Sequence, residues 1–306
     1  MLDLTFLSEE QIFGDNQLDI IKKYGTKSAI TDFAILSGGF VYDTIGGKDL
    51  KNRTGRWWTR LSDGYNDARV INFRDVSSSN RSEVNLRFGG IRPAFTYSSI
   101  QPILSSRVRE NSGIKEVEYG EYPQWVVDEN YSRELEEVYN NGSLRTTGKN
   151  YTTDSVVYYD SNTPFSAGIH AEYEYNGNKY IRFVINDSNF YGNRLSDGRT
   201  IKFLKPFWVR VEPIIWLVDE KADIALSKYI ILSGIQFDDK EYKGDFENTF
   251  IKRFMDEYLS KEIECGVYKE KLIENKQVDI DSIFDDVIKK MNEINEVEEV
   301  KTKVLK

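Results

Sequence analysis

Residues 55–96 read GRWWTRLSDGYNDARVINFRDVSSSNRSEVNLRFGGIRPAFT. An apolar pair, Trp57 and Trp58, opens this stretch, and Arg92, Pro93 and Phe95 close it around a run rich in Ser, Asn, Asp, Arg and Tyr. Binding surfaces carried on loops have this composition, because Tyr supplies rigid amphipathic area and Ser, Asn and Asp supply adaptable hydrogen bonds. Two buried ends would fix the span while its middle stays exposed to a partner. Adjacent residues of a strand face opposite ways, so one tryptophan is expected in the core and the other, Trp58, on the surface as a ligand anchor. With it, Arg60, Tyr65, Asn66, Asp67, Arg69, Asn72, Arg74 and Asp75 form the expected ligand-binding set. Each alone has the ordinary reading of a solvated loop residue, and only their clustering raises them. Arg92 is expected to lock the loop by bonding carbonyls or a carboxylate.

The whole chain, at 306 residues with 40% apolar and 13% aromatic content, can bury a large core. Its 19 Tyr and 17 Phe against 3 Met favour sheet over helix bundles. The expected fold class is α+β, with a mixed or mostly antiparallel β core and flanking helices. A net charge of −9 argues against nucleic acid, which needs clustered Lys and Arg. The first residues carry acids where a secretory leader needs bases, and no apolar run spans a bilayer. A cytoplasmic or virion-associated setting without membrane insertion follows as the expectation.

One cysteine, Cys265, and one histidine, His170, restrict the chemistry. Zinc sites need three or four Cys, His or carboxylate ligands, and Ser-His-Asp or Cys-His catalysis would have to use these isolated residues. Cys265 reads as a bystander thiol and His170 as a structural strand residue. Glu134, Glu136, Glu137, Asp285 and Asp286 lie among bases on helix faces, where solvated carboxylates are the ordinary reading. Gly38-Gly39 lacks the Lys-Ser/Thr of a phosphate loop and reads as a turn. No catalytic residue, metal ligand or cofactor is expected.

Outward from the opening stretch, Asp15 or Asn16 would cap a short helix from Leu18 to Tyr24 that Gly25 stops. TDFAILSGG (31–39) reads as a short apolar strand ending in a turn. VEYGEYPQWVVDENYSRELEEVYNNG (117–142) reads as a strand, a proline-marked turn, then a helix with Leu135 and Val138 inward. Alternating residues around Asn176-Gly177 mark a hairpin over 171–185. Residues 207–218 and 222–232 form the most apolar strands. Beyond 243 the period becomes helical, with Phe246, Phe250, Phe254 and Tyr258 at four-residue steps. Asp279 to Lys303 forms an amphipathic helix that is either one more terminal helix or a self-association seam, which leaves a homo-oligomer as one partner option. The expected organisation is a ligand-display domain over 1–242, in halves 1–110 and 111–242, and a helical extension over 243–306.

Taken together, ILSGGFVYD, GRWWTRLSDG, GGIRPAF, YGEYPQ, VEPIIWLVDEKADIALSKYIIL and FENTFIKRFMDEYL resemble a bacterial and phage family of unknown function on the C-type-lectin-like fold, shared with formylglycine-generating enzyme. The resemblance covers most of residues 28–260. YGEYPQ and IIWLV here follow the WWTR-to-RPAF stretch instead of preceding it. The order looks permuted, and the two halves either close on each other or complete a fold with another copy. The resemblance implies no catalysis, since the paired cysteines of that enzyme and the iron-holding histidines of its relatives have no counterpart. It implies no calcium either: Glu212-Pro213 runs into Ile214, and Asn186-Asp187 lacks a preceding Trp. It places ligand recognition, and in retroelement-diversified relatives sequence variation, between the Trp pair and RPAF. The functional expectation is therefore a non-enzymatic protein presenting residues 59–90 to a protein or glycan, in a phage or prophage setting. The alternative is a virion or assembly subunit that uses this segment and its C-terminal helix for self-association.

Overall fold

The computed structural model describes residues 2–39, 41, 53–62, 67–71, 79–82, 89–99, 107–111, 114–153, 168–185, 194–202, 204–238, 242 and 244–264. Mostly antiparallel sheets with few helices make the chain α+β. Among the described residues the strands form two sheets. The smaller is a meander of β1 (Trp57–Ser62), β2 (Ala68–Ile71) and β3 (Ser79–Ser82). The larger contains β4 (Ala94–Thr96), β5 (Arg107–Asn111), β6 (Ile114–Val126), β7 (Arg145–Thr153), β8 (Gly168–Tyr175), β9 (Asn178–Val184), β10 (Pro206–Asp219) and β11 (Ile224–Ser227).

β10 is the spine of the larger sheet. Val209 pairs with both Ile181 of β9 and Val126 of β6, and Trp216 pairs with both Ser227 of β11 and Val117 of β6. Since a strand has two edges, β6 occupies one of them, while β9 and β11 share the other at successive heights. The β9 branch continues through β8 to β7, and the β11 branch ends at β4. Pairing of β4 with β11 joins the two halves within one chain.

Two segments depart from expectation for local reasons. Residues 32–36 form a helix, α3 (Asp32–Leu36), not a strand. Thr31 Oγ1 accepts from Ala34 N–H at 3.2 Å and Ser37 Oγ donates to Phe33 O at 2.8 Å, so hydroxyls cap both ends of a run whose five residues are all buried. A short apolar run has no period to distinguish the two forms, and the caps decide. Pro123 makes no turn; β6 runs through it, opposite Val211, beside a bulge in β6 itself, where Gln124 and Trp125 face the single residue Arg210 of β10 and shift the register. A proline is tolerated in a strand where a bulge removes the need for its missing N–H.

Other elements follow their local chemistry. α1 (Glu9–Phe13) opens on a capping box between Ser8 and Gln11. α2 (Asp19–Tyr24) starts without Asp15 or Asn16, because its first amide, that of Asp19, donates to Asp219 Oδ2 at the end of β10, 2.6 Å away. α4 (Glu129–Asn140) is capped by Asp128, buries Leu135 fully and is followed by Asn141 and Gly142. The hairpin turns at Asn176 and Gly177, both left-handed at φ 51° and 74°. α5 (Phe250–Phe254) continues as a π-helical turn over Met255–Leu259 and stays helical to residue 264. Its Ile251, Phe254, Leu259 and Ile263 are buried, within the compact unit Met1–Cys265 that also holds the sheets. Gly120, at φ 67°, lets Ile263 close on β6: a Cβ there would stand 2.3 Å from Ile263 Cγ2 and 2.8 Å from its carbonyl oxygen. Cys265 and the segment Asp279 to Lys303 lie outside the described residues. No helix among the described residues is long and apolar enough to cross a membrane.

Candidate functional site

The two ends of the stretch 58–89 meet at one place. Trp57 and Gly90 form a parallel bridge; Trp58 N–H donates to Gly90 O at 3.0 Å and Gly90 N–H to Arg56 O at 2.8 Å. The returning chain is then tied to the end of the larger sheet, with Ile91 N–H on Leu232 O at 2.7 Å and Ser227 N–H on Pro93 O at 2.9 Å. The glycine pair permits this approach. A Cβ on Gly89 would fall 2.1 Å from the Trp58 ring, and one on Gly90 2.3 Å from Ile230 Cγ2.

The ring pair fills the base. Trp57 donates through Nε1 to Thr26 O at 3.1 Å and carries the Arg92 guanidinium 5.1 Å above its ring. Arg92 is 2% exposed and donates from Nε to Ser227 O at 2.9 Å, which is the carbonyl lock its place in the sequence suggested. Burial lowers its pKa to about 9, so it stays charged at neutral pH. A buried cation over an aromatic face, with a carbonyl in its plane, gains from both. Trp58 does not stand on the surface as a ligand anchor. It is 0% exposed, tilted on Phe237 at 5.2 Å and covered by Gly89. The alternation of faces holds, but protein covers both faces of β1.

The middle of the segment is also more buried than its polarity suggested. Ala68, Val70 and Ile71 of β2 are within 2% of full burial, and Thr59 Oγ1 donates to Arg69 O at 2.9 Å. The three apolar side chains of ARVI fasten β2 to the interior. Of the expected ligand-binding set, Arg60 is exposed, and Asp67 and Arg69 are partly exposed. Arg60 is held by its backbone, donating to Leu7 O and accepting from Tyr242 Oη, and Arg69 pairs with Glu9 of α1 at 3.6 Å. Tyr65, Asn66, Asn72, Arg74 and Asp75 lie outside the described residues, in sequence between β1 and β2 or between β2 and β3.

A second concavity escaped the sequence reading. A cleft of about 910 Å³ opens where the end of β6, the start of α4, the start of β9, the middle of β10 and the turn 194–199 meet. Ser196 is fixed there by Asp32, whose carboxylate accepts from Ser196 N–H, Ser196 Oγ–H and Val126 N–H at 2.7, 2.5 and 3.1 Å. Trp125 and Tyr229 stand edge to face at 5.5 Å on one wall, and Tyr180 donates to Tyr131 Oη at 3.2 Å on another. These four rings come from three stretches of the chain, near 125–131, 180 and 229, and the only local hint was the density of aromatics in each.

The single histidine is structural in its surroundings. His170 stacks on Phe183 at 4.3 Å, lies 3.1 Å from Thr153 Oγ1, and burial lowers its pKa to about 4. Glu134 accepts from Tyr175 Oη, and Glu136 accepts from Arg182 and Trp208 Nε1. Among the described residues no group of three His, Cys, Asp or Glu could hold a metal ion. Comparison with known proteins places the chain in no family: no family description, no curated protein and no solved structure matches it.

Proposed function

We propose that the protein is a non-enzymatic binding protein, built on a C-type-lectin-like variant of the α+β fold, that presents the excursion from Trp58 to Gly89 to a macromolecular partner. The observation that carries this reading is the pinning of Trp57 beside Gly90 on a base whose large side chains are all buried. A segment so held at both ends can vary between them without unfolding its support, which is what recognition through a loop on a rigid scaffold requires. Arg60, Asp67 and Arg69 then belong to the recognition surface. The composition favours a protein partner, where Tyr and Arg dominate affinity.

The test compares immobilised wild-type protein with a Tyr65→Ala, Asn66→Ala, Arg69→Ala triple variant for capture of partners from fractionated host extract. The reading requires partners that the wild type retains and the variant loses at unchanged thermal stability. Identical retention by both would remove the segment from recognition.

A further inference from the structure

The cleft beside α4 has three features that together select a ligand class. Its first is the exposure pattern of tryptophan. Trp57, Trp58, Trp208 and Trp216 are fully buried, whereas Trp125 alone of the five is partly exposed, and it lines this cleft. Open tryptophan surface is costly in water and is characteristic of binding sites. Tyr229 braces the ring edge-on, so the exposed ring is held rather than free to turn away.

The second feature is charge. The three ionised side chains that line the cleft, Asp128, Asp197 and Arg210, each have a partner within the protein. Asp128 accepts the amides of Asn130 and Tyr131 at 3.0 Å, Asp197 pairs with Arg199, and Arg210 pairs with Glu212 at 3.3 Å. An ionic ligand would have to break one of these pairs, so the cleft suits a neutral molecule.

The third is the mixture of hydrogen-bonding groups on a partly apolar wall. Asn178 and the Arg210 guanidinium offer donors, while Ser196, Tyr131 and the aspartate oxygens offer acceptors, at the edge of a wall made of rings. The volume lies within the range of about 300 to 1,000 Å³ usual for small-ligand sites.

A neutral molecule with flat C–H faces for rings and alternating hydroxyls for the edge groups is a pyranose. We infer that this cleft binds a short neutral oligosaccharide, with Trp125 stacking on one sugar ring and Arg210 and Asn178 bonding its hydroxyls. The site is separate from the pinned segment and does not depend on it.

Since the other four indoles are buried, the acrylamide-quenchable part of the intrinsic fluorescence reports on Trp125. Titration of the full chain with a panel of neutral trisaccharides (gluco-, xylo-, manno- and N-acetylglucosamine-based) should give, for at least one, a saturable emission change and protection of Trp125 from acrylamide quenching. Trp125→Ala should abolish the change. Arg210→Gln and Asn178→Ala, at exposed positions that do not threaten folding, should each weaken binding about tenfold, as the loss of a ligand hydrogen bond does. The Tyr65, Asn66, Arg69 triple variant should bind the sugar unchanged, which separates this site from the recognition segment. Response to no neutral sugar, response only to sialylated or sulfated sugars or to peptides, or undiminished binding by Arg210→Gln and Asn178→Ala would each overturn the assignment.

Discussion

Trp58 and Trp208 are both wholly buried, yet they are buried in different ways. Trp58 lies in a dry setting of Phe237 and Gly89, and its Nε1 has no hydrogen-bond partner among the described residues. Trp208 sits beneath α4 with Leu135, Tyr180 and Val127, edge-on to Tyr139 and Tyr173, and its Nε1 donates to Glu136 at 3.0 Å. Glu136 also takes Nε and Nη2 of Arg182, whose guanidinium covers the Tyr139 ring at 4.6 Å. The base of the excursion is therefore held by volume, and the α4 platform by directed polar pairs over half-buried tyrosines. Packing by volume fails abruptly when atoms are removed or added, whereas a partly solvated network lets water replace a lost partner.

The sharpest way to break this contrast is Trp58→Ala, expected to cost about 3 to 5 kcal/mol in urea unfolding by leaving a cavity that Phe237 cannot fill; a loss near that of a surface site would refute dry packing. Gly90→Ala follows at about 1 to 3 kcal/mol, because the new methyl meets Ile230 and the Arg56 carbonyl, which is backbone and cannot rotate aside.

The third measurement concerns a site of intermediate character. Glu262, on the helix after α5, is buried where it accepts from Thr152 N–H at 2.7 Å and Tyr122 Oη at 3.4 Å, and burial raises its pKa from 4.5 to about 7. Since the folded value lies above the unfolded one, the protonated acid favours the fold. That contribution is complete below 4.5 and is lost as pH rises through about 7. His170 acts in the opposite sense: its depressed pKa contributes stability above 6.5 that is lost as pH falls toward about 4. Glu262→Gln should flatten the decline of stability between 4.5 and about 7 while leaving the acid-side loss from His170, as read by thermal melts across that window. An unchanged slope would mean that Glu262 is not buried as described.

The smallest effect belongs to the platform. Glu136→Gln should cost about 1 kcal/mol, the low end for charge-assisted bonds because both partners are part exposed, and the cost should shrink in high salt. A loss as large as that of Trp58→Ala would make the two regions alike.

Where the chain carried its own local instruction, the fold could be read ahead of the structure. Asn176-Gly177 between alternating residues gave the hairpin, Leu135 and Val138 gave α4, and the four-residue spacing from Phe246 gave the helix near the end. Where a local cap or bulge overrides the composition, the reading failed: Asp32–Leu36 took its helical form from caps at Thr31 and Ser37, and Pro123 stayed in β6 beside a bulge in that strand. Where a distant partner decides, it failed as well. Trp58 was placed outside because nothing in WWTR tells that Phe237, far along the chain, covers the second face. The cleft was illegible for the same reason: its walls come from residues near 125–131, 178–180, 196, 210 and 229, and no window of sequence holds more than two of those segments.

The position of β10 has a consequence for how the chain acquires its shape. Every branch of the larger sheet, β6 on one side and β9 and β11 on the other, is completed only against Pro206–Asp219. A polypeptide emerging from the ribosome can close the Asn176–Gly177 hairpin early, but β6 must wait unpaired on that edge through some eighty residues of synthesis. The polypeptide therefore passes through a stage with one edge of the thirteen-residue β6 open while β5 covers part of the other, and slowed translation or shortage of holding chaperones before residue 219 is when this protein is most exposed to aggregation.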